Sequence, residues 1–308
     1  MSKKAKRIVG ILLYLALIFL PLAVMLALPM PQQRSFWREL SVALGFVGLA
    51  MAGVQFLPTA RLRFVSDVFD LDRVYVVHHG LSVLSVLLIL LHPVILLFHN
   101  PHTLLLLNPF TAPWRAQAGL VAAAALLLIA ATSVLRKQLR LGYRLWHLIH
   151  LALTLAIVVF ALIHLFEVNY YLSAPAMTGA WIAEAVIWGG ALMYLRVIKP
   201  WAVSRRPYRV ERIQRETPDT WSLYLRPDGH QGLDFHAAQV AWLSLDSSPF
   251  SVDRNPFSVS NAAHRRVLRF SIQVVGDFTS RVPRLDEYSV VYVDGPYGRF
   301  SLDDAAQE

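Results

Sequence analysis

Cysteine is absent from the 308 residues. Its absence excludes disulfides, iron–sulfur clusters, thiolate-ligated haem and a cysteine nucleophile, so redox work would have to use histidine or a bound organic cofactor. Charge is scarce as well. Only 16% of residues are Asp, Glu, Lys or Arg, 56% are hydrophobic, and mean hydropathy is +0.48. That balance points to an integral membrane protein and away from a soluble enzyme. Acid is scarcer than base, with a formal net charge of +9 and a pI near 10.0. In a soluble protein this would raise nucleic-acid binding. Here the basic residues flank apolar runs, and no nucleic-acid partner is expected. Internal repeats and low-complexity tracts are lacking too.

What the chain has is six apolar runs, roughly 8–28, 39–58, 74–98, 116–135, 145–167 and 179–198. Each matches the ~20 helical residues needed to cross a ~30 Å hydrocarbon core. The basic first residues resemble a signal peptide, but the run from Ile8 to Leu28 is too long for one and no small-x-small cleavage site follows. It reads as an uncleaved first span. Alternate connections are basic: Lys3, Lys4, Lys6 and Arg7; then Arg61, Arg63 and Arg73; then Arg136, Lys137, Arg140 and Arg144; then Arg196, Lys199, Arg205 and Arg206. The remaining loops hold only Arg34, Arg38 and Arg115. The positive-inside rule therefore predicts that the N-terminus and everything from residue 200 onward are cytoplasmic, in the plasma (inner) membrane of a cell. The third and fifth spans then run parallel.

Eight of the 11 histidines fall in or beside these spans. An ionisable side chain inside a membrane is costly and is functional by default. His78 and His92 are 14 residues apart on the third span, and His150 and His164 are 14 apart on the fifth. At ~100° per residue this is about 40° short of four full turns, so each pair shares a helix face. On parallel helices His78 can face His150 and His92 can face His164. Two facing imidazoles can ligate one haem iron from both sides, and the rise between the two levels is ~21 Å. Zinc would need a tighter cluster and usually four ligands. Taken singly, each histidine could equally be a hydrogen-bonded packing residue. His79 and His147 are reserve ligands or propionate contacts. His99 and His102 lie at the outer mouth as interfacial residues, although contact with the outer haem or an acceptor is open to them. Pro93 is expected to bend its helix. Glu184, in the sixth span, receives no role.

After Pro200 the texture changes. YRVERI, TWSLYLRP, QVAWLSL, RVLRFSIQVV and EYSVVYVDGP are short alternating or β-branched runs separated by turn residues. They predict a small antiparallel sheet or barrel. Within it stand RNPFSVS (254–260), VVGDFTSRV (274–282) and VDGPYGRF (293–300). Singly these are ordinary turn punctuation. Their order and spacing are more specific.

Together, the two histidine pairs and the NPFS…GDFT…GPYG series make the whole chain resemble the ferric reductase and NADPH oxidase superfamily. The resemblance implies a six-helix domain over residues 1–200 that holds two b-type haems on His78, His92, His150 and His164. It implies an FAD-binding barrel of the ferredoxin-reductase type over 201–308, on the cytoplasmic side. Carried over residue by residue, Asn255, Pro256, Phe257, Ser258, Val259 and Ser260 form the flavin strand. Phe257 lies against the isoalloxazine, and Ser258 sits near the reactive flavin nitrogen. The backbone around Thr279 and Ser280 starts a short helix whose N–H groups suit the FAD pyrophosphate, and Asp277 is counted among the cofactor contacts. Asp294 to Gly298 close the barrel. There are departures. Asn255 stands where a basic or imidazole group is common. Ala237 to Gln239 replace a Pro-Gly-Gln loop. Ala156 and Ile157 occupy the zone where animal oxidases often carry an aromatic.

The family continues with a nucleotide-binding α/β unit. No G-x-G-x-x-G occurs here and no βαβ pattern follows Gly298. The expectation is that the NAD(P)H-binding domain is missing from this sequence, through truncation or because a separate electron-donor protein supplies it. The implied function is a transmembrane oxidoreductase that passes electrons from cytoplasmic NAD(P)H through FAD and two haems to an outer-face acceptor. Oxygen, giving superoxide, is the first acceptor and a ferric chelate the second. A cytochrome b relay subunit is the alternative of another class.

Overall fold

The computed structural model describes residues 3–28, 34–62, 71–236, 239–245, 248–262 and 266–298. Ala237 and Ala238 of the expected Pro-Gly-Gln-like loop lie outside these, as does Arg63. The chain divides into two compact units. One comprises Met1–Thr59 with Arg73–Ala191, and the other Ala60–Asp72 with Leu192–Glu308.

The first unit is helical: α1 (Lys3–Ala27), α2 (Phe36–Val54), α3 (Leu71–His99, which begins in the second unit), α4 (Trp114–Val134), α5 (Tyr143–Val168) and α6 (Pro175–Met193). All six are long and apolar enough to cross a membrane. Outward-facing leucines and valines such as Leu12, Leu87, Leu127 and Val186 are exposed, as lipid contact requires. Pro93 lies inside α3, which nevertheless stays helical from Leu71 to His99. Where the first unit has a core, it is made of large side chains: Trp181 and Trp188 of α6 with Met25 of α1, Phe46 of α2 and Leu165 of α5. α4 and α5 pack along each other. Between the two histidine levels the filling is wholly aliphatic, with Ala125 and Leu126 of α4 against Ile157 of α5 and Ile89 of α3. Small-residue positions let helices approach closely, as is common in membranes.

The second unit holds the six strands: β1 (Tyr208–Arg215), β2 (Thr220–Pro227), β3 (Val240–Ser244), β4 (Asn255–Ser258), β5 (Leu268–Gln273) and β6 (Val290–Tyr297). They form one antiparallel sheet in the order β4-β3-β6-β1-β2-β5. The two ends of that order meet. Val259, just past β4, bridges Phe270 of β5, and the Ser260 N–H donates to the Arg269 carbonyl at 2.8 Å. The sheet is thus closed into a barrel, which removes its edges. Alternation explains the core. In β5, Leu268, Phe270 and Ile272 point inward while Ser271 and Gln273 face out, and Leu223 and Leu225 of β2 meet them inside.

Candidate functional site

The His92–His164 pair is built by four helices. The imidazoles of His92 (α3) and His164 (α5) face each other with ring centroids 6.4 Å apart and planes at 68°. Each ring is held at Nδ1. His92 Nδ1 lies 3.0 Å from the Ser41 carbonyl and 2.9 Å from its Oγ. The Ser41 hydroxyl donates its own hydrogen to the His92 carbonyl at 2.8 Å. His164 Nδ1 lies 2.7 Å from the Arg115 carbonyl, at the start of α4. A carbonyl can only accept, so both Nδ1 atoms donate and both Nε2 atoms keep their lone pairs. That is the tautomer a metal-binding imidazole needs, fixed by its outer hydrogen bond. With Nε2–metal bonds of about 2 Å on each side, the centroids of two rings sharing an iron would stand a little over 6 Å apart. The observed spacing fits a bis-imidazole haem.

The His78–His150 level is less tightly held. His78 (α3) is within electrostatic range of His150 (α5). His150 Nδ1 lies 3.5 Å from Ser133 Oγ, and its ring sits 5.2 Å from that of Trp146. His78 Nδ1 is buried without a hydrogen-bond partner among the described residues. Of the reserve histidines, His79 is exposed and His147 half-buried against Tyr143 and Trp146. His99 stacks on Trp37 at 4.6 Å and, with Arg38 and Asn100, lines a cavity of about 210 Å³ at the same end of the helices as His92. His102 is exposed, its backbone N–H bound to Asn100. Among the described residues no cluster of three or more His, Asp or Glu could hold a bare metal ion.

Sequence reasoning did not anticipate what anchors these histidines. Gly45 and Gly119 face His92 and His164, and a Cβ at Gly119 would lie 2.9 Å from His164 Nδ1. A signal for α2 was present: Ser41, Gly45 and Gly48 form a small-residue stripe of the kind that lets helices meet.

In the barrel, Asn255 and Phe257 lie on one side of β4, half-buried, while Pro256 and Ser258 are exposed on the other. The Phe257 ring stacks on Phe278 at 5.8 Å and 22° and packs against the core. The Asn255 amide reaches Asp253 at 3.5 Å. Val259 and Ser260 form the closing seam, with Ser260 Oγ donating to the Arg269 carbonyl. Thr279 begins a short 3₁₀ helix, Thr279–Arg284. Its Oγ1 accepts the N–H groups of Val275 and Gly276 at 2.9 and 3.1 Å, which folds the GDFT turn onto itself. The Ser280 hydroxyl donates to the Asp277 carbonyl.

Beside these motifs lies a buried charge cluster that the sequence did not reveal. Asp294 of β6 contacts Arg61 at 3.2 Å and Lys199 at 3.6 Å and accepts from the Tyr297 hydroxyl. Arg61 also lies over the Trp242 ring at 4.5 Å. Arg254, directly before the flavin-type strand, is lowered to about 10, first by burial and then by the neighbouring Arg61 charge.

Residues 44–163 match the family described as ferric reductase like transmembrane component. Among solved structures, the chain is similar to a flavohemoglobin from Malassezia yamatoensis with bound FAD and heme, at 12% identity and a TM-score of 0.36 over 88% of this chain. The chain spans 66% of that protein's length, and the likeness is too distant to bear on the site. No curated protein matches. The family match, over less than half of the chain, includes His78, His92 and His150 and ends one residue before His164.

Proposed function

We propose that the chain moves electrons across a cell's inner (plasma) membrane through two b-type haems held by His78 with His150 and by His92 with His164. The electrons come from NAD(P)H through FAD on the cytoplasmic barrel. The observation that carries this reading is the His92–His164 pair, whose Nδ1 atoms are both tied to backbone carbonyls and whose rings stand 6.4 Å apart.

The haems and flavin would supply the electron chemistry, and the protein supplies placement and surroundings. Ser41 and the Arg115 carbonyl orient the outer imidazoles. The aliphatic layer of Ala125, Leu126 and Ile157 separates the two levels and keeps water out. His92 and His164 would hold the haem between them, so the acceptor would be reduced without itself binding the iron. Oxygen is the proposed acceptor. The family description of residues 44–163 favours a ferric chelate as the second reading. In the barrel, the exposed Ser258 hydroxyl and the strand Asn255–Ser258 are the proposed flavin contacts, with Val259, Ser260, Asp277, Thr279 and Ser280 framing them. The domains are proposed as residues 1–200 for haem and 201–308 for FAD.

The test is the visible spectrum of the purified protein with haem and flavin quantified. Two low-spin haems and one flavin per chain are expected. His92→Ala or His164→Ala should remove one haem and abolish outward transfer while leaving flavin reduction by an added donor intact. Full haem content in both variants would refute the ligand assignment. Superoxide formation sensitive to dismutase, measured beside Fe(II) release from a ferric chelate, separates the acceptors.

A further inference from the structure

α6 carries one carboxyl inside a membrane span, and the electron path proposed above makes no use of it. Glu184 is 0% exposed. Its Oε2 accepts from Trp188 Nε1 at 2.9 Å. Its Oε1 has no hydrogen-bond partner among the described residues, and neither has the buried Nε1 of Trp181 one turn away. The two indoles meet edge to face at 6.2 Å. α2 makes room for Trp188 at Gly53, where a Cβ would collide with the ring. Phe46 and Leu49 of α2, Met25 of α1, and Leu162 and Leu165 of α5 complete the surrounding cluster.

No charged group among the described residues acts on Glu184. The ionisable side chains in the same cluster are Tyr170 and Tyr171, between α5 and α6. Tyr171 donates to Glu39 at 2.6 Å, and Arg34 lies over the Tyr170 ring. A carboxyl placed only to brace Trp188 needs one acceptor oxygen, and glutamine would serve. The second oxygen, buried and without a partner among the described residues, is a liability unless it carries a proton for part of the time. Leu162 and Leu165, which pack in this cluster, flank His164 in sequence. Where water is excluded, a change of charge at the level held by His164 is felt over a longer range than in solvent.

We propose that Glu184 is a proton-binding site inside the membrane whose occupancy follows the charge of the redox level held by His92 and His164. The inference rests on the reading of that histidine pair given above. When an electron arrives there from the donor side, the Glu184 carboxylate takes one proton from the aqueous phase, forming an O–H bond at Oε1. When the electron leaves for the outer acceptor, that bond breaks and the proton returns to water. No other bond changes. The protein thereby offsets the cost of adding negative charge in a low-dielectric interior.

The experiment is potentiometric titration of the purified full chain over a series of pH values, with redox-difference infrared spectra of the same samples. It compares wild type with Glu184→Gln and Glu184→Asp. Wild type should show one haem midpoint that falls with rising pH and a protonated-carboxyl band that changes between oxidised and reduced states. Glu184→Gln should keep the haem spectrum but lose both features, and Glu184→Asp should keep both with the band displaced. Unaltered pH dependence in Glu184→Gln would overturn the assignment. If that variant does not assemble, the wild type decides alone: a redox-difference spectrum with no carboxyl band refutes the proposal. A wild-type protein without haem would refute the histidine reading first, a failure visible in the absorption spectrum before any titration.

Discussion

Two glycines lie against the His92–His164 pair, and the structure assigns them opposite tolerances. A Cβ added at Gly119 would stand 2.9 Å from His164 Nδ1 and 3.2 Å from its Cε1, where ordinary contact begins at 3.4 Å. The neighbour is a ring already fixed at 2.7 Å to the Arg115 carbonyl. Gly119→Ala must therefore displace the imidazole by about 0.5 Å, beyond the ~0.2 Å within which a metal–ligand distance is held. The displacement also weakens the Nδ1 hydrogen bond, and losing such an outer partner typically lowers metal affinity ~10–100-fold. At Gly45 the corresponding contact with the His92 ring is 3.3 Å, so Gly45→Ala needs a shift of only about 0.1 Å, inside the same tolerance. Haem content by absorption spectroscopy on purified protein, with an exposed leucine of α4 changed to alanine as control, reads the difference. Gly119→Ala should lose the outer haem or leave it loosely bound and shifted in potential. Gly45→Ala should retain two haems with an unchanged spectrum. Two intact low-spin haems in Gly119→Ala would refute the placement of His164 as a ligand oriented from α4.

Three further outcomes follow from the second unit. Asp294→Asn leaves Arg61 and Lys199 buried without their carboxylate, so thermal unfolding of the barrel should show a loss of roughly 3–5 kcal/mol, and an unchanged midpoint would remove the cluster's structural role. Leu223→Ala empties a fully buried position facing Phe270 across the β2–β5 ladder, with an expected cost of about 2–5 kcal/mol in denaturant unfolding. The exposed Asp219 carboxyl is held below its ordinary range by hydrogen bonds from Gln273, Thr217 and Thr220. Its contribution is therefore present above the usual carboxylate pKa and lost as pH falls through the lower folded value. Asp219→Asn should flatten that acid limb by lowering stability at neutral pH while leaving the acid end, where the contribution is already lost, nearly unchanged, and an identical acid limb in the variant would contradict the hydrogen-bond assignment.

The linear chain by itself determined what depends on neighbours along it. Scarce charge settled the solvent, and six runs of about 20 apolar residues settled the spans. The 14-residue histidine spacing placed each pair on one helix face, because that spacing is nearly a whole number of turns. Alternation in LRFSIQ named the inward residues of β5. Only the tertiary structure decided what depends on partners far away in sequence. Ser41 and Arg115 orient His92 and His164 from 51 and 49 residues off. Phe257 stacks on Phe278, a residue outside its own strand. Val259 meets Phe270 to close the barrel, and Asp294 gathers Arg61 and Lys199 from two separate segments. Glu184 was visible as a charge in an apolar run, yet nothing local showed that one of its oxygens would be buried without a partner among the described residues. Periodicity tells which face a residue occupies. What that face meets is set by packing, which the order of residues encodes only through the whole fold.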